Sequence, residues 1–338
     1  MRILLIGGAG FMGARTARAL LDAGHEVAVL SRGRRPVPAG AEALTADRRD
    51  PAALSAALEH RRFDFTVDFV AYDAADVEGL LRVPYAALGR YVLISTGQVY
   101  LVTEAAGPVF REEDDGRPLK PEPPAGSADH DEWSYGVGKR RAEGALLSLR
   151  ASHGVRGVVL RLPIVQGEGD GSLRLWAWLE RMLDGGPVLL PDGGRQHVRF
   201  VHAGDVTRAI LHLLEQGPPR MAVYNLAQPD TLPLRGFLEL VARAAGVAPR
   251  FIEVGWEELE AAGLDRSCAP YAGPWASVLD PARAAAEWGF ACRRTDEYLA
   301  EVVRWHLEHH PEKSHAGYAR RPRELALADR LTADRGLS

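Results

Sequence analysis

The sequence predicts an α/β protein: a doubly wound parallel sheet joined to a smaller C-terminal lobe. Three observations carry this. Short apolar runs at 2–6, 26–30, 65–71 and 90–94 alternate with stretches whose apolar residues recur at helical spacing. Strands that alternate with helices need crossover connections, which set the strands parallel and cover both faces of the sheet. The first run also ends in Gly7-Gly8-Ala9-Gly10-Phe11-Met12-Gly13, a tight glycine turn opening directly into a helical stretch.

Each element follows from its own residues. Ile3, Leu4, Leu5 and Ile6 form an uninterrupted apolar run, the mark of a strand buried on both faces. Phe11, Ala14, Ala17, Leu20 and Leu21 give a helix over 11–23. A second strand spans 26–30 and a short third spans 42–45. Pro51 stands in the first turn of a helix over 51–60, where its missing N–H leaves no bond unmade. The runs at 65–71 and 90–94 are short, β-branched or aromatic, and bounded by polar residues, so they read as strands. Residues 102–132 change character: the acids Glu112, Glu113, Asp114 and Asp115 and a proline-rich stretch at 118–124 predict a long exposed loop. A helix over 135–152 and a strand over 157–162 come next. Helices at 172–183, 205–215, 234–245, 281–287 and 296–308 follow, with strands at 188–190, 198–201 and 223–226.

Composition narrows the function. At 338 residues, 46% hydrophobic and 25% charged, the chain has ample core-forming material, and disorder is excluded. A net charge of -4 offers no basic field to nucleic acid or to an anionic membrane surface. Two cysteines, Cys268 and Cys292, make no disulfide framework and show no metal-type spacing, so a cytoplasmic chain is expected. No run approaches the roughly 18 apolar residues of a membrane span. His306, His309 and His310 have helical spacing, but no carboxylate or cysteine joins them in a known ligand pattern, and no metal is expected. Arg320, Arg321 and Arg323 form a basic cluster in a polar tail over 311–338, either a helix from Pro322 onward or a mobile solvated segment.

The glycine turn carries chemistry. Gly7 can take the tight turn, Gly10 lets the amides at Phe11 and Met12 approach a pyrophosphate at the helix start, and Gly13 permits close helix-to-strand packing. That is the Rossmann-type dinucleotide signature. Dinucleotide sites that take NAD place an acid at the end of the second strand for the ribose 2′-hydroxyl. Here Ser31 and Arg32 occupy that place, with Arg34 and Arg35 close behind. A carboxylate repels a 2′-phosphate and a guanidinium clamps it, so NADP is favoured over NAD. The expected domains are a Rossmann-type NAD(P)-binding domain over 1–165, its sheet also receiving segments around 198–230, and a mainly substrate-binding lobe over 166–310. The polar tail at 311–338 stands outside both.

Tyr135-Gly136-Val137-Gly138-Lys139 sets a phenol and an ammonium four apart, on one face of a helix. The chain has only three lysines, Lys120, Lys139 and Lys313, which makes the spacing informative. A phenol near pKa 10 is a poor acid or base at neutral pH, and an adjacent ammonium stabilises its phenolate.

With the glycine loop, the strand ending Ile94-Ser95-Thr96-Gly97-Gln98-Val99-Tyr100 and this Tyr-x-x-x-Lys in that order, the chain resembles the extended short-chain dehydrogenases/reductases, in the NAD(P)-dependent epimerase/dehydratase group. The likeness continues through Arg161-Leu162-Pro163, Pro191-Asp192-Gly193-Gly194, Phe200-Val201-His202 with Asp205, and Tyr224-Asn225-Leu226, over roughly residues 1–310. It implies an oxidoreductase that moves a hydride between nicotinamide and a carbonyl or hydroxyl carbon of a small organic substrate. Thr96 would bond the substrate oxygen, Tyr135 would be the acid/base, and Lys139 would hold the nicotinamide ribose and bring the tyrosine into working range. Asp47, with Arg48 beside it, would contact adenine, while Phe69, Val70, Ala71 and Pro163 would line the cofactor. Gly97, Gln98, Ile164 and Arg199 are the substrate-side candidates.

The departures from the family pattern point away from sugar nucleotides. Its sugar-nucleotide dehydratases carry an acid pair where Gly97 and Gln98 stand, and neither of these trades a proton. Its epimerases place a diphosphate-binding arginine where Val198 stands, with Arg199 one residue off. A sugar-nucleotide epimerase remains the alternative. A non-catalytic RNA-associated member is a third reading, which Thr96, Tyr135, Lys139 and the negative charge oppose. The chain is expected to act on a small molecule, with a homodimer open to it, without nucleic acid or membrane.

Overall fold

The structure, a computed structural model, describes residues 1–83, 87–104, 107–153, 155–217 and 219–336. It divides into two units. The first comprises Met1–Val165, Phe200–Ala227 and Leu279–Cys292, and the second Gln166–Arg199, Gln228–Val278 and Arg293–Ser338.

In the first unit, β1 (Arg2–Ile6), β2 (Glu26–Ser31), β3 (Glu42–Thr45), β4 (Phe65–Asp68), β5 (Arg90–Thr96), β6 (Gly157–Leu162) and the strand Val223–Asn225 form one sheet. Across it the order is Val223–Asn225, β6, β5, β4, β1, β2, β3, and every pairing is parallel. The order switches direction at β1, between β2 and β4. In such sheets the crevice beyond the carboxyl ends at that point receives the ligand.

Alternate residues of β1 feed two cores. Ile3 and Leu5 pack with Ala17 and Leu20 of α1 (Phe11–Asp22) and with Val206, Ala209 and Ile210 of the helix Ala203–Gln216. Leu4 and Ile6 pack on the other face with Leu54 and Leu58 of α2 (Pro51–Leu58) and Val77 and Leu80 of α3 (Ala74–Leu81). The short α4 (Gln98–Leu101) follows β5, and α5 (Ala128–His153) adds Ala142 and Leu146 to that second face. Each such leucine, wholly removed from water, contributes about 1.5–3 kcal/mol.

Several boundaries differ from the sequence expectation for definable reasons. The strand expected over 65–71 stops at Asp68, whose carboxylate accepts the Val70 N–H at 3.0 Å and turns the chain. The unforeseen α3 begins where the Asp73 carboxylate takes the Ala74 N–H at 2.6 Å and Asp76 reaches back to the Asp73 N–H at 3.2 Å, a reciprocal cap. Helix α5 begins at Ala128 rather than Tyr135. The Ser127 hydroxyl accepts the His130 N–H at 3.1 Å, and Asp129 and Asp131 lie in the first turn, where the helix dipole favours acids. The loop expected to be exposed over 102–132 is buried at Glu112, whose carboxylate accepts the Asn225 N–H at 2.8 Å. Leu279–Cys292, expected in the lobe, belongs to the sheet unit: Ala284 and Phe290 enter its core, and the Tyr224 hydroxyl donates to Glu287 at 2.6 Å.

The second unit contains the helices Arg174–Leu183, Leu234–Ala245 and Thr295–Glu308, with Val188–Pro191 and Phe251–Val254 paired in parallel. Of the two forms expected for the polar tail the structure has the helix, and the correction is that it is buried. Residues Arg321–Asp334 form a helix whose Leu327, Ala328 and Leu331 pack against Leu189, Ile252, Val254, Leu259 and Leu264. Arg321, expected in solvent, is buried and donates to Asp184 at 2.7 Å, and the neighbouring Glu324 takes two bonds from buried Arg181 at 2.8 and 2.6 Å. The tail is part of this unit's core.

Candidate active site

The glycine turn is built by close approach. Gly7 lies at φ +80°, a left-handed conformation, and a Cβ there would sit 2.7 Å from a Val70 methyl. A Cβ on Gly13 would stand 2.6 Å from the Gly7 carbonyl oxygen and from Gly8 Cα, so only glycine lets α1 lie against the turn. Gly10 precedes the helix, and no side chain caps it. The first-turn amides of Phe11, Met12 and Gly13 therefore point their donors at the crevice with the positive end of the helix dipole behind them.

Beside this turn runs a groove of about 740 Å³, all within the first unit. Of the residues expected to hold cofactor, Gly7, Gly10, Ser31, Arg32, Asp47, Arg48 and Val70 line it, and Arg34, Arg35, Arg49 and Tyr72 join them. Phe11, Met12, Gly13, Phe69, Ala71 and Pro163 are not in that lining. A dinucleotide fits what is present: a cradle that any side chain at Gly7 or Gly13 would fill, the first-turn amides of α1, and Arg32, Arg34 and Arg35 just beyond β2.

Arg48 lines the groove with its guanidinium engaged by protein partners. Its guanidinium donates to both carboxylate oxygens of Asp68 at 2.8 Å each and to the Asp76 carbonyl at 2.5 Å. Burial pushes the Asp68 carboxyl up, but Arg48 and the Tyr91 hydroxyl, which donates at 2.5 Å, outweigh this and hold it below its ordinary range. Arg48 thus braces the groove wall by tying the segment after β3 to β4 and α3. Its partners lie 20 and 28 residues away, which no local pattern reveals.

Thr96 is the last residue of β5, and its Oγ1 accepts the Gln98 N–H at 3.2 Å. Tyr135 and Lys139 stand one turn apart on α5 with opposite exposure, 38% for the tyrosine and 2% for the lysine. Lys139 Nζ donates to the carbonyls of Ala71 and Ile94 at 2.7 Å each, bridging the ends of β4 and β5. Burial pushes its ammonium down to about 8, against the opposing pull of Asp68 and Glu143. Two glycines bring α5 this close. A Cβ on Gly136 would sit 2.5 Å from Val102, and one on Gly138 would sit 2.4 Å from the Tyr72 carbonyl oxygen.

Three contributors at this site were given no role by the sequence reading. The Tyr72 ring lies 6.2 Å from the Tyr135 ring and 5.8 Å from Lys139 Nζ, with its backbone N–H held by Asp76 at 2.7 Å. Glu132, one turn before Tyr135, accepts a hydrogen bond from the Gln98 side chain, which was expected to face substrate. Buried Arg161 pairs with Glu143 at 2.6 Å and donates to the Tyr100 hydroxyl at 2.8 Å and the Glu112 carbonyl at 3.1 Å; Glu143 also accepts from Ser95, just before Thr96. Only position 161 carried a signal, as the arginine of the Arg-x-Pro stretch. Of the other substrate candidates, the Gly97 N–H is given to the Leu162 carbonyl at 2.7 Å and Ile164 is half-buried. Arg199 belongs to the second unit, where its Nε donates to Thr231 at 2.8 Å and neighbouring Val198 is buried in a pairing with Leu232.

A parallel sheet with a glycine-lined crevice at its switch point, and an exposed phenol beside a buried ammonium at the next strand end, define a dinucleotide-dependent oxidoreductase. More narrowly, the chain belongs to the NAD dependent epimerase/dehydratase family, whose model matches residues 3–227, and it is an NAD(P)-dependent enzyme of the extended short-chain dehydrogenase/reductase type. The 2′-dehydrokanamycin reductase of Streptomyces kanamyceticus is 28% identical over 315 residues, covering 90% of this chain and 75% of that protein. The chloroplast stem-loop binding protein of 41 kDa b of Arabidopsis thaliana is 25% identical over 261 residues, covering 72% of this chain and 63% of its own length. In fold, the UDP-glucose 4-epimerase of Thermotoga maritima, solved with UDP-glucose, matches with a TM-score of 0.71 at 19% identity, over 91% of this chain and 99% of that one. Among the described residues no helix is long and apolar enough to cross a membrane, and no group of three histidine, cysteine or acidic side chains is arranged to hold a metal.

Proposed function

We propose that this chain is an NADP(H)-dependent carbonyl reductase acting on a small organic ketone, with Tyr135, Lys139 and Thr96 as its catalytic residues. One observation carries the reading: a buried lysine bridges two strand-end carbonyls while the tyrosine one turn before it stays exposed. When bound, the nicotinamide supplies the hydride for the carbonyl carbon. Tyr135 Oη gives a proton to the carbonyl oxygen, and the Lys139 charge stabilises the phenolate left behind. Thr96 Oγ1 already accepts the Gln98 N–H, so its hydroxyl proton is available to the same oxygen. The amides at the start of α1 hold the pyrophosphate, and Arg32, with Arg34, Arg35 and Arg49 around the same groove, holds the 2′-phosphate of NADP. Buried cysteines at positions 268 and 292, outside any disulfide, suit a reducing cytoplasm.

Likeness over 90% of the chain to a relative named as a reductase supports reduction of a small molecule. The epimerase reading has the fold likeness to a UDP-glucose enzyme behind it. It is weakened by Val198, buried where a diphosphate would need a cation. The test is ketone-dependent oxidation of NADPH. Tyr135→Phe should lower kcat by roughly 10²–10⁴ and leave NADPH affinity nearly unchanged, since only the proton transfer is removed. Wild-type turnover by Tyr135→Phe would end the assignment, and substrate conversion without net NADPH consumption would promote the epimerase.

A further inference from the structure

We infer that Glu132 is a positioning residue for the reduction, acting through Gln98 to aim the Thr96 hydroxyl at the substrate oxygen. This rests on the reading of Thr96 and Tyr135 just given and adds a residue that the sequence motifs do not contain. The Gln98 side chain, 8% exposed, donates its amide to the Glu132 carboxylate, while the Gln98 backbone N–H donates to Thr96 Oγ1 at 3.2 Å. Glu132 lies three residues before Tyr135, which sets both side chains on one face of α5. The backbone beneath Gln98 is pressed from the same helix: a Cβ on Gly136 would sit 2.8 Å from the Gln98 carbonyl oxygen. Gln98 is therefore fixed at both ends by α5, and α4 is only one turn long, with little of its own to hold it.

The consequence follows from hydroxyl chemistry. A threonine hydroxyl has one proton to give and two lone pairs to receive. While the Gln98 N–H occupies a lone pair, the hydroxyl proton turns outward, toward an acceptor such as a ketone oxygen. At 3.2 Å that N–H contact is at the long end of the normal range and tolerates little drift. A charged acceptor such as Glu132 bonds an amide about twice as strongly as a neutral one, which makes it a suitable anchor. This role needs a hydrogen-bond acceptor at position 132 and no proton exchange there. Glu132→Gln should therefore keep it and Glu132→Ala should lose it.

The test uses the full chain with saturating NADP(H) and has two arms. The first needs no substrate. Deuterium exchange of the peptide spanning 96–101 should speed up about tenfold in Glu132→Ala and stay within about twofold of wild type in Glu132→Gln. The second uses the ketone that turns over fastest with wild-type enzyme. Glu132→Ala should lower kcat about 10- to 100-fold with KM changed less than about threefold, Glu132→Gln should stay within about threefold of wild type, and Gln98→Ala combined with Glu132→Ala should cost no more than either alone. Unchanged exchange in Glu132→Ala overturns the inference, as do additive losses in the double variant. So does Glu132→Gln impaired as badly as Glu132→Ala, which would give the carboxylate itself a proton or a substrate ammonium to handle. Wild-type activity in Tyr135→Phe sinks the underlying reading instead, and it is scored on a residue that neither exchange variant alters.

Discussion

Lys139 sets the pH behaviour at the scale of single residues. Burial holds its ammonium down to about 8, against 10.5 for a solvated lysine, because its partners are two neutral carbonyls. Below pH 8 the lysine is protonated both folded and unfolded, and the cost of burying the charge is fully present. Between pH 8 and 10.5 the unfolded chain binds the extra proton, so this group makes unfolding less favourable as pH rises, by up to about 3 kcal/mol across the window. Urea unfolding of wild type and Lys139→Met at pH 7.5, 8.5 and 9.5 isolates it: the wild-type advantage should grow with pH, and a flat difference would mean that the lysine is not held low. Turnover should move oppositely, falling above about pH 8 as the charge that stabilises the phenolate disappears. Arg32 belongs to the same scale. It lines the groove just past β2, and loss of one charge-assisted phosphate contact costs about 1.5–3 kcal/mol. Calorimetry of Arg32→Ala should show NADPH affinity reduced about tenfold or more and NADH affinity nearly unchanged, and equal losses for both would remove Arg32 from the 2′-phosphate.

At the scale of elements, what the sequence made legible was local. The glycine turn, the Tyr-x-x-x-Lys face and the alternation of β1 lie within a few residues, and spacing alone reveals them. The start of α5 was missed although its signals, Ser127, Asp129 and Asp131, are local, because the proline-rich stretch before them dominated the reading. The burial of the tail helix was missed for a deeper reason. Its polar residues look solvated until Asp184 and Arg181, more than 130 residues away, come to meet Arg321 and Glu324. That pairing gives a contrast within one short segment. Glu324→Ala leaves the buried Arg181 guanidinium without its carboxylate, and urea unfolding should show a loss of about 3–5 kcal/mol. Arg320, whose bridge to Asp265 is largely exposed, should cost under about 1 kcal/mol when changed to alanine. Comparable losses in the two variants would mean that the tail is not the internal wall its packing implies.

For the molecule as a whole, the distribution of cations decides which ligands it can accept. The site candidates that spacing could not settle, Arg48, Gln98 and Arg199, are those whose partners arrive from other elements: Asp68, Glu132 and Thr231. Once these are known, the arginine supply looks committed at three places that matter for polyphosphates. Arg48 is locked to Asp68, Arg161 is buried with Glu143, and Arg199 bonds Thr231 beside a buried Val198. The exposed arginines Arg32, Arg34 and Arg35 line the groove proposed for NADP, with Arg49 beside them paired to Asp76 at 3.3 Å. A diphosphate brought against committed Arg48, buried Arg161 or buried Val198 would shed hydration with little to replace it. Titration of UDP and dTDP into the NADP complex should therefore give dissociation constants no tighter than about millimolar, while ketones oxidise the bound NADPH. Micromolar UDP binding that vanishes in Arg199→Ala would show that Arg199 leaves Thr231 to meet a diphosphate, and sugar-nucleotide chemistry would then replace reduction of a small ketone.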